Sequence, residues 1–162
     1  MRAVVIAVDN AFRRDDGVGG AVATLVRDRL GPETDLVVLD GEPSRILDAW
    51  SGADAAIVVD AMRSGAEPGT VSTFEVGVDP LPLPGQIGST HSLGLAQAVD
   101  LAKALDRLPA RVLLVGIEGR EYGEGVGLSP AVESAVPLAA EVVVQKVSGL
   151  LAEPARASEE PV

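Results

Sequence analysis

One histidine, no cysteine and several aspartates set after apolar runs define the chemistry open to this chain. Without cysteine there is no thiol nucleophile, thiolate metal site or disulfide, so any imidazole base or ligand must be His91 of this chain or of a second copy. His91 falls in Ser89-Thr90-His91-Ser92, at the entry to an expected helix, where a lone histidine more often caps or lies on the surface. Asp60 ends the run AAIVVD. A carboxylate directly after five apolar residues is costly to bury without a cation, a metal or several donors, with a structural turn role as the lesser alternative. Asp40 ends LVVLD in the same manner but precedes Gly41, an ordinary turn pair. Asp15 and Asp16 stand where a loop passes into a helix at Gly17-Val18-Gly19. One carboxylate suffices to cap the free N–H groups of a helix start, which leaves the other facing a crevice. Asp16, Asp60 and His91 could together present two oxygens and one nitrogen to a divalent metal with positions left open. Asp9, Asn10 and Asp15 form a second rank of candidates.

The elements that must position these residues follow from hydropathy. AVVIAV (3–8), LVVLD (36–40), AAIVVD (55–60) and RVLLVG (111–116) are short apolar runs of the kind that form buried strands, and 69–76 has the partly alternating pattern of an edge strand. Helical stripes are expected from Asp16 to Leu30, around 43–51, from about Ser92 to Leu105, and from Ser129-Pro130 onward, with Ser129 as N-cap and Pro130 at the first helical position. Pro137 is expected to kink that last helix or to begin a second one running to Leu151. Strands alternating with helices predict one α/β domain: a three-layer αβα sandwich over residues 1–151 around a twisted, mainly parallel five-stranded sheet, followed by a disordered acidic tail, 152–162. Such sheets bind ligands beyond the carboxyl ends of their strands, so residues 9–19, 40–42, 60–70 and 117–125 and the loop before residue 92 are where function is expected.

Composition removes several classes. The 162 residues carry 13 Lys and Arg against 24 Asp and Glu, a formal charge of −11, with 2% aromatics. Such a surface repels phosphate backbones and anionic headgroups and offers no stacking platform for bases, so neither nucleic acid nor membrane is expected as a partner. The start reaches Asp9 after a short apolar run, no run of eighteen apolar residues occurs, and a monomer in the cytoplasm is expected. Two competing motifs remain. Gly17-x-Gly19-x-x-Val22 with Asp40 further on approximates a dinucleotide fingerprint, but eight residues separate it from the strand end and the third glycine is missing, so a nucleotide or small-ligand binder on the same fold is the alternative. No G-x-S-x-G elbow occurs, although Ser89 or Ser92 stands beside His91.

Taken in order, Asn10, Asp15-Asp16-Gly17-x-Gly19, Asp60-Ala61, Pro68-Gly69-Thr70, Ser89-x-His91, Gly116-Ile117-Glu118 and Leu128-Ser129-Pro130 resemble the hydrogenase maturation proteases, over about residues 3–150. The resemblance implies a cytoplasmic endopeptidase that removes a C-terminal extension from the large-subunit precursor of a nickel–iron hydrogenase once nickel is in place. It further implies that Asp16, Asp60 and His91 are both the catalytic and the metal-binding residues, with the nickel supplied by the substrate. A metal held between enzyme and substrate would polarise the scissile carbonyl and make cleavage conditional on nickel loading. The chain departs from the family at Ala7-Val8-Asp9-Asn10, where Gly-x-Gly-Asn is usual: Asp9 restricts the turn and adds a carboxylate beside the expected site.

Overall fold

The computed structural model describes residues 1–80 and 90–153, and of residues 90–93 the backbone only. Five strands, β1 (Ala3–Val8), β2 (Thr34–Leu39), β3 (Ala55–Met62), β4 (Val71–Glu75) and β5 (Arg111–Glu118), form one sheet in the order β2-β1-β3-β5-β4. The first four in that order are parallel, and β4 closes the far edge antiparallel to β5. The expected mainly parallel five-stranded α/β sandwich is the fold observed. Its central strands are apolar on both sides because both sides are covered: β1 and β3 are buried throughout, whereas the edge strand β4 is only half-buried along its length.

Four helices supply the cover. α1 (Val18–Val26) and α4 (Pro130–Ala152) pack together over one face, on Val5, Ile57, Val59, Val115 and Ile117. α2 (Pro43–Trp50) and α3 (Thr90–Ala104) pack over the other, on Val4, Ile6, Val8, Val58 and Leu114. In α3 the buried Leu95, Ala98, Val99 and Ala102 repeat at helical spacing, the apolar stripe the sequence predicts. α4 is long and apolar enough to cross a membrane by length and composition, and its buried side chains, from Val132 to Leu150, form the core of its face.

Three expectations are corrected here. The helix expected from Asp16 begins at Val18; Asp16 lies in the preceding 3-10 turn, Arg14–Gly17, because the chain must first cross the end of the sheet before α1 can lie on β1. That docking is close enough that a Cβ on Gly19 would enter the van der Waals shell of the Val8 carbonyl. Pro137 does not begin a second helix: α4 runs through it unbroken. Its ring faces solvent, where water can satisfy the carbonyl it leaves without a partner, while Val136, Ala139 and Ala140 anchor the inner side. Asp60 does not end its strand. β3 continues through Ala61 and Met62 because β5 extends equally far, pairing Asp60 with Gly116 and Met62 with Glu118.

Candidate active site

The chain changes direction in this sheet between β1 and β3, the place where folds of this kind form a crevice. β1 leads outward to β2 through α1 on one face, and β2 returns to β3 through α2 on the other, so the carboxyl ends of β1 and β3 diverge into a topological switch point. Asp60 is at the β3 side of that opening, and the loop after β1 carries Asp9, Asn10, Asp15 and Asp16 across it.

Asp60 is 3% exposed. Its neighbours in alternation, Ala56 and Val58, pack under α2 and α3, so its side chain leaves the sheet on that face. Burial pushes its carboxyl well above the usual carboxylate range; the Ala61 N–H, donating to Oδ1 at 2.8 Å, opposes the shift and the Asp16 charge reinforces it. Asp16 is therefore its electrostatic neighbour. It is 1% exposed, its own N–H donates to the Arg13 carbonyl at 3.2 Å, its carbonyl accepts from Asn10 N–H at 2.9 Å, and Arg13 Nε stands 3.8 Å from its Oδ2. Asn10 thus serves the site through its backbone, holding the turn that presents Asp16.

Asp15 has a different task from the one expected. Neither aspartate caps α1, whose N-cap is Gly17 with no side-chain bond. Asp15, fully buried, instead accepts from Arg120 N–H and Glu121 N–H at 2.8 Å each, and from Ser129 N–H at 2.8 Å and Ser129 Oγ at 2.9 Å. Burial alone would raise its pKa, but these donors outweigh it and hold the carboxyl below the ordinary value. Ser129 is the N-cap residue of α4 with Pro130 at its first position, as expected, but its hydroxyl goes to this bond and makes no side-chain cap. The loop after β5 is thereby fastened to the loop after β1. Arg14, just before the pair, adopts φ 50°, a left-handed conformation unusual for a non-glycine residue, and its N–H donates to the Gly125 carbonyl at 3.2 Å.

The floor beyond β3 holds groups that the sequence reading did not single out for chemistry. Buried Glu118 accepts from Ser64 N–H at 2.9 Å, Ser64 Oγ at 2.8 Å and Gly65 N–H at 3.0 Å, fixing the loop after β3. Tyr122 OH donates to the Met62 carbonyl and accepts from Gly119 N–H, and the Arg63 guanidinium stacks 4.2 Å above its ring. A carboxylate closing the apolar run of β5 was the available signal for Glu118, the same signal that marks Asp60. Asp9 leans toward α1, with its Cγ 2.7 Å from where a Cβ on Gly20 would sit; burial raises its pKa, and its Oδ1 has no hydrogen-bond partner among the described residues. Asp40 lies outside the crevice, exposed and paired with Arg45 Nη1 at 2.9 Å. With Gly19 serving helix packing, the dinucleotide fingerprint loses both its glycine and its acid.

His91 lies in the first turn of α3, and its side chain, like that of Ser92, lies outside the described residues, as does Ser89 altogether. The backbone places that turn. Gly94 packs so tightly on the Gly41 carbonyl, in the loop after β2, that a Cβ would collide with it. The start of α3 is thus at the carboxyl end of the sheet, on the face from which Asp60 projects. Among the described residues, no group of three His, Asp or Glu side chains is close enough to hold a metal ion.

The family model described as hydrogenase maturation protease matches residues 21–146. The chain belongs to the hydrogenase maturation protease family. It is 28% identical over 147 residues to the hydrogenase 2 maturation protease of Escherichia coli, covering 89% of each chain. It is 26% identical over 145 residues to the hydrogenase expression/formation protein HupD of Thiocapsa roseopersicina, covering 88% of this chain and 66% of that one. Among solved structures, the hydrogenase maturating endopeptidase HybD of E. coli shares the fold with a TM-score of 0.77 at 24% identity, over 93% of this chain and 94% of that one. The maturation protease HybD of Thermococcus kodakarensis does so with 0.73 at 24%, over 91% and 99%. The resemblance read from the ordered motifs is therefore the family found, and the α/β sandwich expected from the alternation of strands and helices is the fold observed.

Proposed function

We propose that this protein is an endopeptidase that removes a C-terminal extension from the large-subunit precursor of a nickel–iron hydrogenase after nickel insertion, and that Asp16, Asp60 and His91 receive the precursor's nickel in the crevice between β1 and β3. The observation that carries this reading is the buried Asp16–Asp60 pair. Two carboxylates whose charges oppose each other at a switch point are a poor structural device but a natural seat for a cation, which turns their mutual repulsion into attraction. The donor set fits nickel: carboxylate and imidazole are ordinary ligands of a divalent transition metal, and no thiolate competes for it. Bound there, the ion would act as a Lewis acid on the scissile carbonyl.

The chain's own groups supply the rest. Asp60 would double as general base, taking a proton from attacking water. Asp15 and Glu118 hold the two loops that frame the opening. The activity belongs to a cytoplasmic monomer in this reading, consistent with a chain without cysteine that has no need of an oxidising compartment. Purified protein should release the extension from nickel-loaded precursor, read by mass spectrometry. Asp60→Asn should lower the rate by at least about 100-fold, within the range ascribed to a general base; an Asp60→Asn enzyme as fast as its parent would overturn the assignment.

A further inference from the structure

The loops after β1 and β5 meet above the crevice in a ridge. Gly125 N–H donates to the Phe12 carbonyl at 2.9 Å and Arg14 N–H to the Gly125 carbonyl at 3.2 Å, a parallel bridge between Arg13 and Gly125 outside the sheet. One residue before and one residue after this bridge stand Phe12 and Val126, 76% and 77% exposed, the two most exposed large apolar side chains among the described residues. Folding gains nothing from exposing them, yet the chain holds them there at a cost, through the left-handed backbone of Arg14. The ridge is continuous with the site, since Arg13 both forms the bridge and reaches Asp16.

The arginines of these loops are engaged: Arg13 reaches Asp16 at 3.8 Å, the guanidinium of Arg14 is answered by Glu121 at 3.5 Å, and that of Arg63 stacks on the Tyr122 ring. The exposed Phe12 and Val126 side chains are what the ridge offers a partner, and they match a polypeptide surface that is apolar at its centre.

We infer that Phe12 and Val126 are specificity determinants that seat an apolar side chain of the precursor beside its scissile segment. The inference rests on the proposed peptidase reading for the identity of its occupant. It assigns the ridge to substrate capture rather than to the cleavage step, so the ridge acts on KM and binding and leaves kcat alone.

The test uses the full-length protein and purified nickel-loaded precursor bearing its extension. Phe12→Ser/Val126→Ser should keep the parental circular dichroism and thermal midpoint, because neither side chain is packed. It should raise KM by about tenfold or more at unchanged kcat, the scale of a lost apolar anchor pair. Val78→Ser, which removes a side chain 70% exposed in the turn after β4, controls for loss of apolar surface and should change nothing. The same double substitution placed in Asp60→Asn should weaken precursor binding by a similar factor in calorimetry. A KM and affinity within twofold of the parent overturn the inference. If the parent binds precursor through the ridge without cutting it, the peptidase reading fails and the ridge stands; if it neither binds nor cuts, both fall.

Discussion

Removing the Asp15 carboxylate should unfasten the site without touching the residues proposed for chemistry. Asp15→Ala deletes the acceptor of four hydrogen bonds, three at 2.8 Å and one at 2.9 Å. Bonds to an ionised group are worth about 1.5–3 kcal/mol each, but the sum is not simply fourfold. The Arg120 and Glu121 N–H groups are part-buried and regain water when the loop lifts, whereas the two Ser129 donors are buried and keep most of their loss. Two sealed donors and two recoverable ones give a cost of about 3–5 kcal/mol, typical of breaking a buried charged network. At about 2–4 °C per kcal/mol for a chain of this size, the midpoint should fall by about 10 °C. Asp15→Asn, which keeps one acceptor oxygen, should lose roughly half as much.

The pH dependence has a definite sign. The folded pKa of Asp15 is lowered, so its contribution is present above the unfolded carboxylate range and is lost as pH falls through the folded value. Urea unfolding followed by Trp50 fluorescence should show parent and Asp15→Ala well separated at neutral pH and converging below about pH 4, the ordinary Asp range. A neutral-pH difference under about 1 kcal/mol, or a gap that widens in acid, would refute the fastening role.

Asp60→Asn should move in the opposite direction. Because burial raises the folded pKa of Asp60, its ionised form costs stability as pH rises through that value, and the amide removes both this cost and the repulsion from Asp16; the midpoint at neutral pH should rise by about 2–4 °C, for about 1 kcal/mol, in differential scanning calorimetry. Gly19→Ala should destabilise by more than about 2 kcal/mol in urea titration, since the new methyl meets the Val8 backbone, whereas Gly116→Ala meets only the flexible Met62 side chain and should cost less than about 1.5 kcal/mol. Glu153→Ala, which removes an ion pair to Arg111 whose acidic partner is 63% exposed, should shift stability by no more than about 0.5 kcal/mol by the same titration.

The sheet was legible because burial on both faces forces unbroken apolar runs: AVVIAV became β1 residue for residue, and 69–76 contained the edge strand β4. Strand ends were less legible. Asp60 reads as a terminus because polarity changes there, yet pairing with β5 carries the strand two residues further, a contact between segments more than fifty residues apart. A longer separation, more than a hundred residues, hid the role of Asp15, since its partners lie on Arg120, Glu121 and Ser129 and local reasoning could offer only a helix cap. Asp60 was legible as a candidate because an apolar run makes a carboxylate conspicuous, and Asp16 because two adjacent carboxylates at a helix start are one more than a cap needs. Phe12 and Val126 were not, because their meaning lies in exposure and in a bridge between two loops, neither of which has a periodic signature.

The central claim is that nickel carried by the precursor is received by Asp16, Asp60 and His91. It is tested most directly by comparing the cleavage of nickel-loaded and nickel-free precursor by the parent protein and by His91→Ala, with the released extension quantified by mass spectrometry. The account predicts that the parent cuts only the loaded precursor and that His91→Ala, still folded, cuts it at least about 10–100-fold more slowly, as expected when a metal's surroundings are disturbed. Equal cleavage of both precursors by the parent, or an unchanged rate for His91→Ala, would contradict it.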